Sequence, residues 1–78
     1  REPLRGQLVF SVDNSPEAVE EVLEKLEGLD MEVSRVKTEI KDKKTSLIRC
    51  SVILKPGMSR KEFAKQIAGM DKIISYEI

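Results

Sequence analysis

Ser46-Leu47-Ile48-Arg49-Cys50-Ser51-Val52-Ile53-Leu54 carries apolar residues on both of its alternating sides, with Ile48, Cys50, Val52 and Leu54 on one and Leu47 and Ile53 on the other. A strand that is apolar on both sides belongs in the interior of a sheet, between two other strands. The flanking sequence supplies those neighbours. Lys41-Asp42-Lys43-Lys44 has the polarity of a turn and no glycine, which predicts a hairpin of several residues rather than a tight two-residue one. Upstream of that turn, Met31 and Val33 begin an alternation that Val36, Thr38 and Ile40 continue one position out of phase, so a bulge or kink near Ser34-Arg35 is expected.

Working further outward, Gln7 to Val12 alternates Leu8, Phe10 and Val12 with Gln7, Val9 and Ser11 before closing on Asp13-Asn14. That is a strand ending in a turn. Ser15-Pro16 then matches a helix start, because the serine oxygen can accept from a free backbone N–H and proline needs no N–H at the first helical position. Val19, Val22, Leu23, Leu26 and Leu29 recur at helical steps, Glu17, Glu20, Glu21, Glu24 and Glu27 line the other side, and Gly28 is placed to end the helix. Beyond the central strand, Pro56-Gly57 is a turn, and Ser59 with Glu62 three residues on is a capping box. Phe63, Ala64, Ile67 and Ala68 give that second helix its apolar face, and Ile73 to Ile78 reads as a last strand. The order is βαββαβ. It predicts an α+β, ferredoxin-like domain, a four-stranded antiparallel sheet with both helices on one face.

At 78 residues the chain is one small domain, and its 40% hydrophobic content is too high and too regularly spaced for disorder. A core of this size is marginal, so an oligomer or a parent protein is expected to supply further packing. The start at Arg1 and the lack of a signal-peptide pattern suggest that residues 1–78 are one domain excised from a longer protein. No stretch approaches about eighteen consecutive apolar residues, so direct membrane insertion of this segment is not expected. The lone Cys50 suits a reducing, cytoplasmic setting, and the absence of histidine removes the usual metal ligand and general base.

No nucleophile–base pair, cysteine cluster or phosphate-cradling glycine loop can be assembled, so neither catalysis nor a cofactor is expected. Nucleic-acid binding is not expected either: the central strand has no aromatic residue to stack a base. Residues 1–34 carry three basic and nine acidic side chains, and residues 35–78 carry eleven and five, a split that favours pairing between halves or between copies. The glutamate stripe reads as a solvated helix face. Lys37, Lys41, Lys43 and Lys44 read as charges protecting an edge strand. Asp13, Asn14 and Ser15 are the candidate ligand contacts, since free N–H groups at a helix start can receive an anionic group. If the helices cover the Ile48 side of the sheet, Val9, Leu47, Ile53 and Ile73 are expected to form an apolar patch on the open face and to mediate a homodimer or docking to the parent protein.

The whole of residues 6–78 resembles the ACT-like family of small regulatory domains: a first strand ending in Asp13, a leucine- and valine-lined helix, a hairpin of longer strands, a second helix and a last strand. That family's turn often reads Asp-Arg-Pro-Gly. Here Asp13-Asn14-Ser15-Pro16-Glu17 keeps the aspartate, displaces the proline by one position and lacks the glycine. The Leu8-to-Val12 strand with its acidic helix, the Leu47-to-Leu54 strand and the ending Met70 to Ile78 are similar, more narrowly, to the soluble C-terminal domain of MgtC/SapB-type membrane proteins. That resemblance implies a regulatory or interaction domain associated with magnesium homeostasis, held on the cytoplasmic side of an inner membrane. The broader one implies, as the alternative, an amino-acid sensor attached to a metabolic enzyme or a transcription regulator.

Overall fold

The computed structural model describes residues 2–78. Its elements are β1 (Arg5–Asp13), α1 (Pro16–Gly28), β2 (Glu32–Ile40), β3 (Thr45–Ile53), α2 (Arg60–Ala68) and β4 (Ile73–Glu77). The sheet order is β2-β3-β1-β4, with every pairing antiparallel. This is the βαββαβ ferredoxin-like arrangement, with β3 and β1 in the interior.

Alternation decides which side of the sheet is dry. Leu8, Phe10 and Val12 of β1 share a side with Ile48, Cys50 and Val52 of β3, and all six are buried together with Val22 and Leu26 of α1 and Phe63 and Ile67 of α2. Both helices therefore cover that side. The residues between, from Gln7 and Val9 to Arg49 and Ser51, lie on the open side. Close strand contact also explains Gly6: a Cβ there would fall on the Glu77 carbonyl and the Ile78 side chain.

The helix ends follow local chemistry. Ser15 Oγ accepts from the Ala18 N–H at 3.1 Å and Ser59 Oγ from the Glu62 N–H at 3.1 Å, each filling one of the free donors of a first turn. α1 does end at Gly28, but its left-handed residue is Asp30 (φ 61°), whose N–H returns to the Glu27 carbonyl at 3.0 Å. Lys55-Pro56-Gly57-Met58 is closed by Met58 N–H on the Lys55 carbonyl at 3.1 Å, and Gly57 supplies the φ of 92° that this turn demands.

The phase slip in β2 is a bulge. Ser34 faces Ser51 and Lys37 faces Arg49, so Arg35 and Val36 together oppose Cys50, with Arg35 at φ 51°. A second bulge lies where β1 meets β4: Val9 faces Ser75, but Phe10 faces Ile73.

Candidate functional site

Asp13, Asn14 and Ser15 sit together at the turn between β1 and α1, and the structure shows what each is engaged in. The Ser15 hydroxyl is taken up by the helix cap. Asn14 joins two loops: its N–H donates to the Lys44 carbonyl at 2.9 Å, its Nδ2 donates to the Asp42 carbonyl at 2.9 Å, and its Oδ1 accepts from the buried Ser46 hydroxyl. Asp42 organises the other loop, with Oδ1 accepting from the N–H groups of Lys44 and Thr45, both at 2.8 Å. Those two backbone donors, Lys44 first, hold the Asp42 carboxyl below its ordinary value. Only Asp13, among the three, has a side chain with no hydrogen bond to another described residue. Its turn borders a groove of about 550 Å³ whose walls are Pro16, Val19 and Glu20 of α1 and Thr38 and Ile40 of β2. That lining is mostly apolar, so the groove offers a hydrophobic slot beside two carboxylates, Asp13 and Glu20, rather than a nest of free N–H donors for an anion.

The open side corrects the expected apolar patch. Val9, Leu47 and Ile53 do lie there and are half-buried. Val9 and Leu47 are diagonal neighbours, but Gln7, Arg49 and Ser51 separate them from Ile53, so the three do not form one surface. Ile73 is on the other side of the sheet: it faces Phe10 and packs on the core, because the bulge at the β1–β4 pairing turns it inward. Tyr76, in regular register opposite buried Leu8, brings its ring edge-on to Phe63 at 5.6 Å between centroids. All three aromatic rings thus belong to the helix side, and the open side has no stacking platform for bases.

What the open side does hold is charge that sequence reasoning did not gather. Arg5, Arg35, Lys37 and Arg49 border two shallow, connected hollows of about 380 and 210 Å³ that share Gln7, Arg35 and Ser51. Glu32, Glu39 and Glu77 stand around them on the same side by register. The parity of Arg5 and Arg49 with Val9 was a readable signal. Arg35 was not, because the bulge redirects it. Such a mixed face suits contact with another protein surface of alternating charge.

Among the described residues, no three Asp, Glu or Cys side chains converge as a metal site requires, and no helix is long and apolar enough to cross a membrane. Cys50 is buried, and loss of water around it raises its thiol pKa, which favours the protonated form. Of the glutamate stripe on α1, Glu21 meets Lys25 one turn on at 3.6 Å, as a solvated helix face does.

No protein-family model matches the chain, and no curated protein matches it. The fold is shared with the C-terminal domain of the MgtC protein from Mycobacterium tuberculosis, known from a solution structure. The two superpose with a TM-score of 0.66 and 7% sequence identity, over 99% of this chain and 86% of that one. A likeness at that identity establishes a common architecture from first strand to last.

Proposed function

We propose that this chain is a non-catalytic regulatory or interaction domain of a larger protein, of the kind that MgtC carries at its C-terminus, working at the cytoplasmic side of a membrane in magnesium homeostasis. The observation that carries the reading is the end-to-end correspondence with the MgtC domain, which leaves 1% of this chain outside the superposition. The chemistry agrees with it. The one thiol is sealed in the core, the Asn14 amide at the β1–α1 turn is occupied in holding two loops together, and the surfaces that remain are suited to contact.

The experiment is a melting series in the presence of amino acids, nucleotides and divalent cations, run beside a screen for hydrolase and transferase turnover. A ligand present at a hundred times its dissociation constant and selective for the folded state would raise the midpoint by on the order of 10 °C in a domain of this size. The expected result is no turnover and no such shift with any small molecule, magnesium included. A shift produced by an amino acid and abolished by Asp13→Ala would replace this reading with that of a small-molecule sensor. Turnover abolished by a single substitution would overturn both.

A further inference from the structure

The open side of the sheet gathers its cations at one place. Lys37 of β2 stands directly opposite Arg49 of β3. Residues so placed have Cβ atoms about 4.5–5.5 Å apart, and like charges there repel. Arg35 adds a third cation, because the bulge brings it to the same hollow of about 210 Å³, which Lys37, Arg49, Gln7 and Ser51 also line. Glu32, Glu39 and Glu77 stand around this side by register. Yet the ion pairs among the described residues are Glu21 with Lys25 and Asp30 with Lys55, and neither involves the three cations of the hollow. Their charge is left without a counter-charge, beside the Gln7 amide and the Ser51 hydroxyl, which can donate to an anionic oxygen as well.

We infer that this hollow receives the carboxylates of an acidic protein segment laid in extended form over the open side. Arginine and lysine carry only donors, and the hollow offers two guanidinium groups, which bind carboxylate oxygens in pairs, and one ammonium. The apolar part of the contact lies beside them. Val9 faces Arg49 across the strands, Leu47 is two residues from Arg49 along β3, and both are half-buried. Two residues of strand span about 6.6 Å, which is also the step between alternate side chains of an extended peptide. The fitting segment therefore carries an acidic side chain with an apolar one two positions away. The acid lies over Arg49 and Lys37, and the apolar group rests on Val9 and Leu47.

The surrounding charges choose this occupant over a broad anionic surface. With Arg5, the open side has four cations against Glu32, Glu39 and Glu77. A layer of lipid headgroups would meet nearly as much repulsion as attraction, whereas a segment with two adjacent carboxylates can engage the cations alone. The large exposed apolar side chains, Val36, Ile40, Ile74 and Tyr76, stand on the two edge strands, which leaves charge to govern the interior of this face. The assignment rests on the reading of the chain as an interaction domain, and it names the chemistry of the partner.

Nuclear magnetic resonance titration of the isotope-labelled domain with the peptide acetyl-Ser-Asp-Glu-Ser-Leu-Ser-amide tests it. The analogue acetyl-Ser-Asn-Gln-Ser-Leu-Ser-amide and vesicles of phosphatidylglycerol are the other arms. The expected result is a set of amide shifts centred on Arg35, Lys37, Arg49 and Ser51, with a Kd of about a millimolar that weakens with added salt. Lys37→Gln and Arg49→Gln should each weaken binding by roughly two- to fivefold. The melting midpoint of the free domain should stay level or rise, because each change removes a like charge and breaks no ion pair. Lys61→Gln, the same loss of charge at an exposed site on α2, should leave binding unchanged. The proposal is overturned by unchanged spectra up to about ten times that Kd, by equal binding of the amide analogue, or by a loss with Lys61→Gln as large as with Arg49→Gln. Vesicles that shift the same amides where the peptide does not would overturn it as well. Any of these leaves the interaction-domain reading standing, since that reading falls on turnover or on stabilisation by a small molecule.

Discussion

Asn14 shows how a residue chosen for one kind of chemistry can be spent on another. Its position just before a helix suggests ligand contact, yet its amide ties the β1–α1 turn to the β2–β3 turn, receiving the Ser46 hydroxyl and donating to the Asp42 carbonyl. Ser46 is 4% exposed, so its hydroxyl has no water to fall back on. Asn14→Ala is expected to lower the unfolding free energy by about 1–3 kcal/mol, the cost of a buried donor left without its acceptor. Urea unfolding measures this, and pairing Asn14→Ala with Ser46→Ala in a double-mutant cycle isolates the contact. A loss for Asn14→Ala no larger than that of an ordinary surface change, within about 0.5 kcal/mol, would show that the clamp carries no weight. Asp13 alone of the three turn residues keeps a side chain free of such duties, which is why it is the position to vary in any ligand screen.

Among the elements, β2 is where local pattern and sheet geometry disagree most openly. The slip between Val33 and Val36 is visible in the apolar spacing, and it marks the bulge correctly near Ser34-Arg35. The conformation of the inserted residue is not visible. Arg35 adopts φ 51°, a left-handed conformation that costs a residue with a Cβ about 1–2 kcal/mol. Glycine accepts that conformation freely but gains entropy in the unfolded chain, and the two effects partly offset. Arg35→Gly is therefore expected to leave the unfolding free energy unchanged or to raise it by up to about 1 kcal/mol, whereas Arg35→Val, branched at Cβ, should lower it by about 1–2 kcal/mol. Denaturant midpoints of the two variants decide it, and a greater loss with glycine than with valine would contradict this account of the bulge. α1 gives the milder lesson: Ser15, Pro16 and the apolar stripe are read correctly from spacing, yet the left-handed residue is Asp30 rather than the glycine two positions earlier.

For the whole molecule, one core serves every element. Phe63 is fully buried beneath the sheet, among residues from both helices and both interior strands, and the ring of Tyr76 on β4 meets it edge-on. Phe63→Ala is expected to cost about 3–5 kcal/mol, a large share of the roughly 5–15 kcal/mol that a whole domain has to lose. Helical circular dichroism and Tyr76 fluorescence should then report a single transition at a lowered midpoint, and separate transitions would show that α2 and β4 melt as a unit of their own. The element order, the interior place of β3, the dry side of β1 and β3 and both serine caps were legible in the sequence, because each rests on neighbours within a few residues or on strict two-residue alternation. The turn that holds Asp13, Asn14 and Ser15 was legible in the same way. The fate of the Asn14 amide was not, because its partners are 28 and 32 residues distant. Nor was the inward turn of Ile73, since a bulge between two strands belongs to their pairing and not to either strand alone. The mixed charge of the open face and the bare apolar edge of β2 also depend on which strands end up adjacent. Sequence by itself determined the periodicities that make each element and the side of it that avoids water. The tertiary structure alone decided which elements lie on the margins and what their outward groups are left to meet, because strand order and register are settled by contacts among residues far apart in the chain.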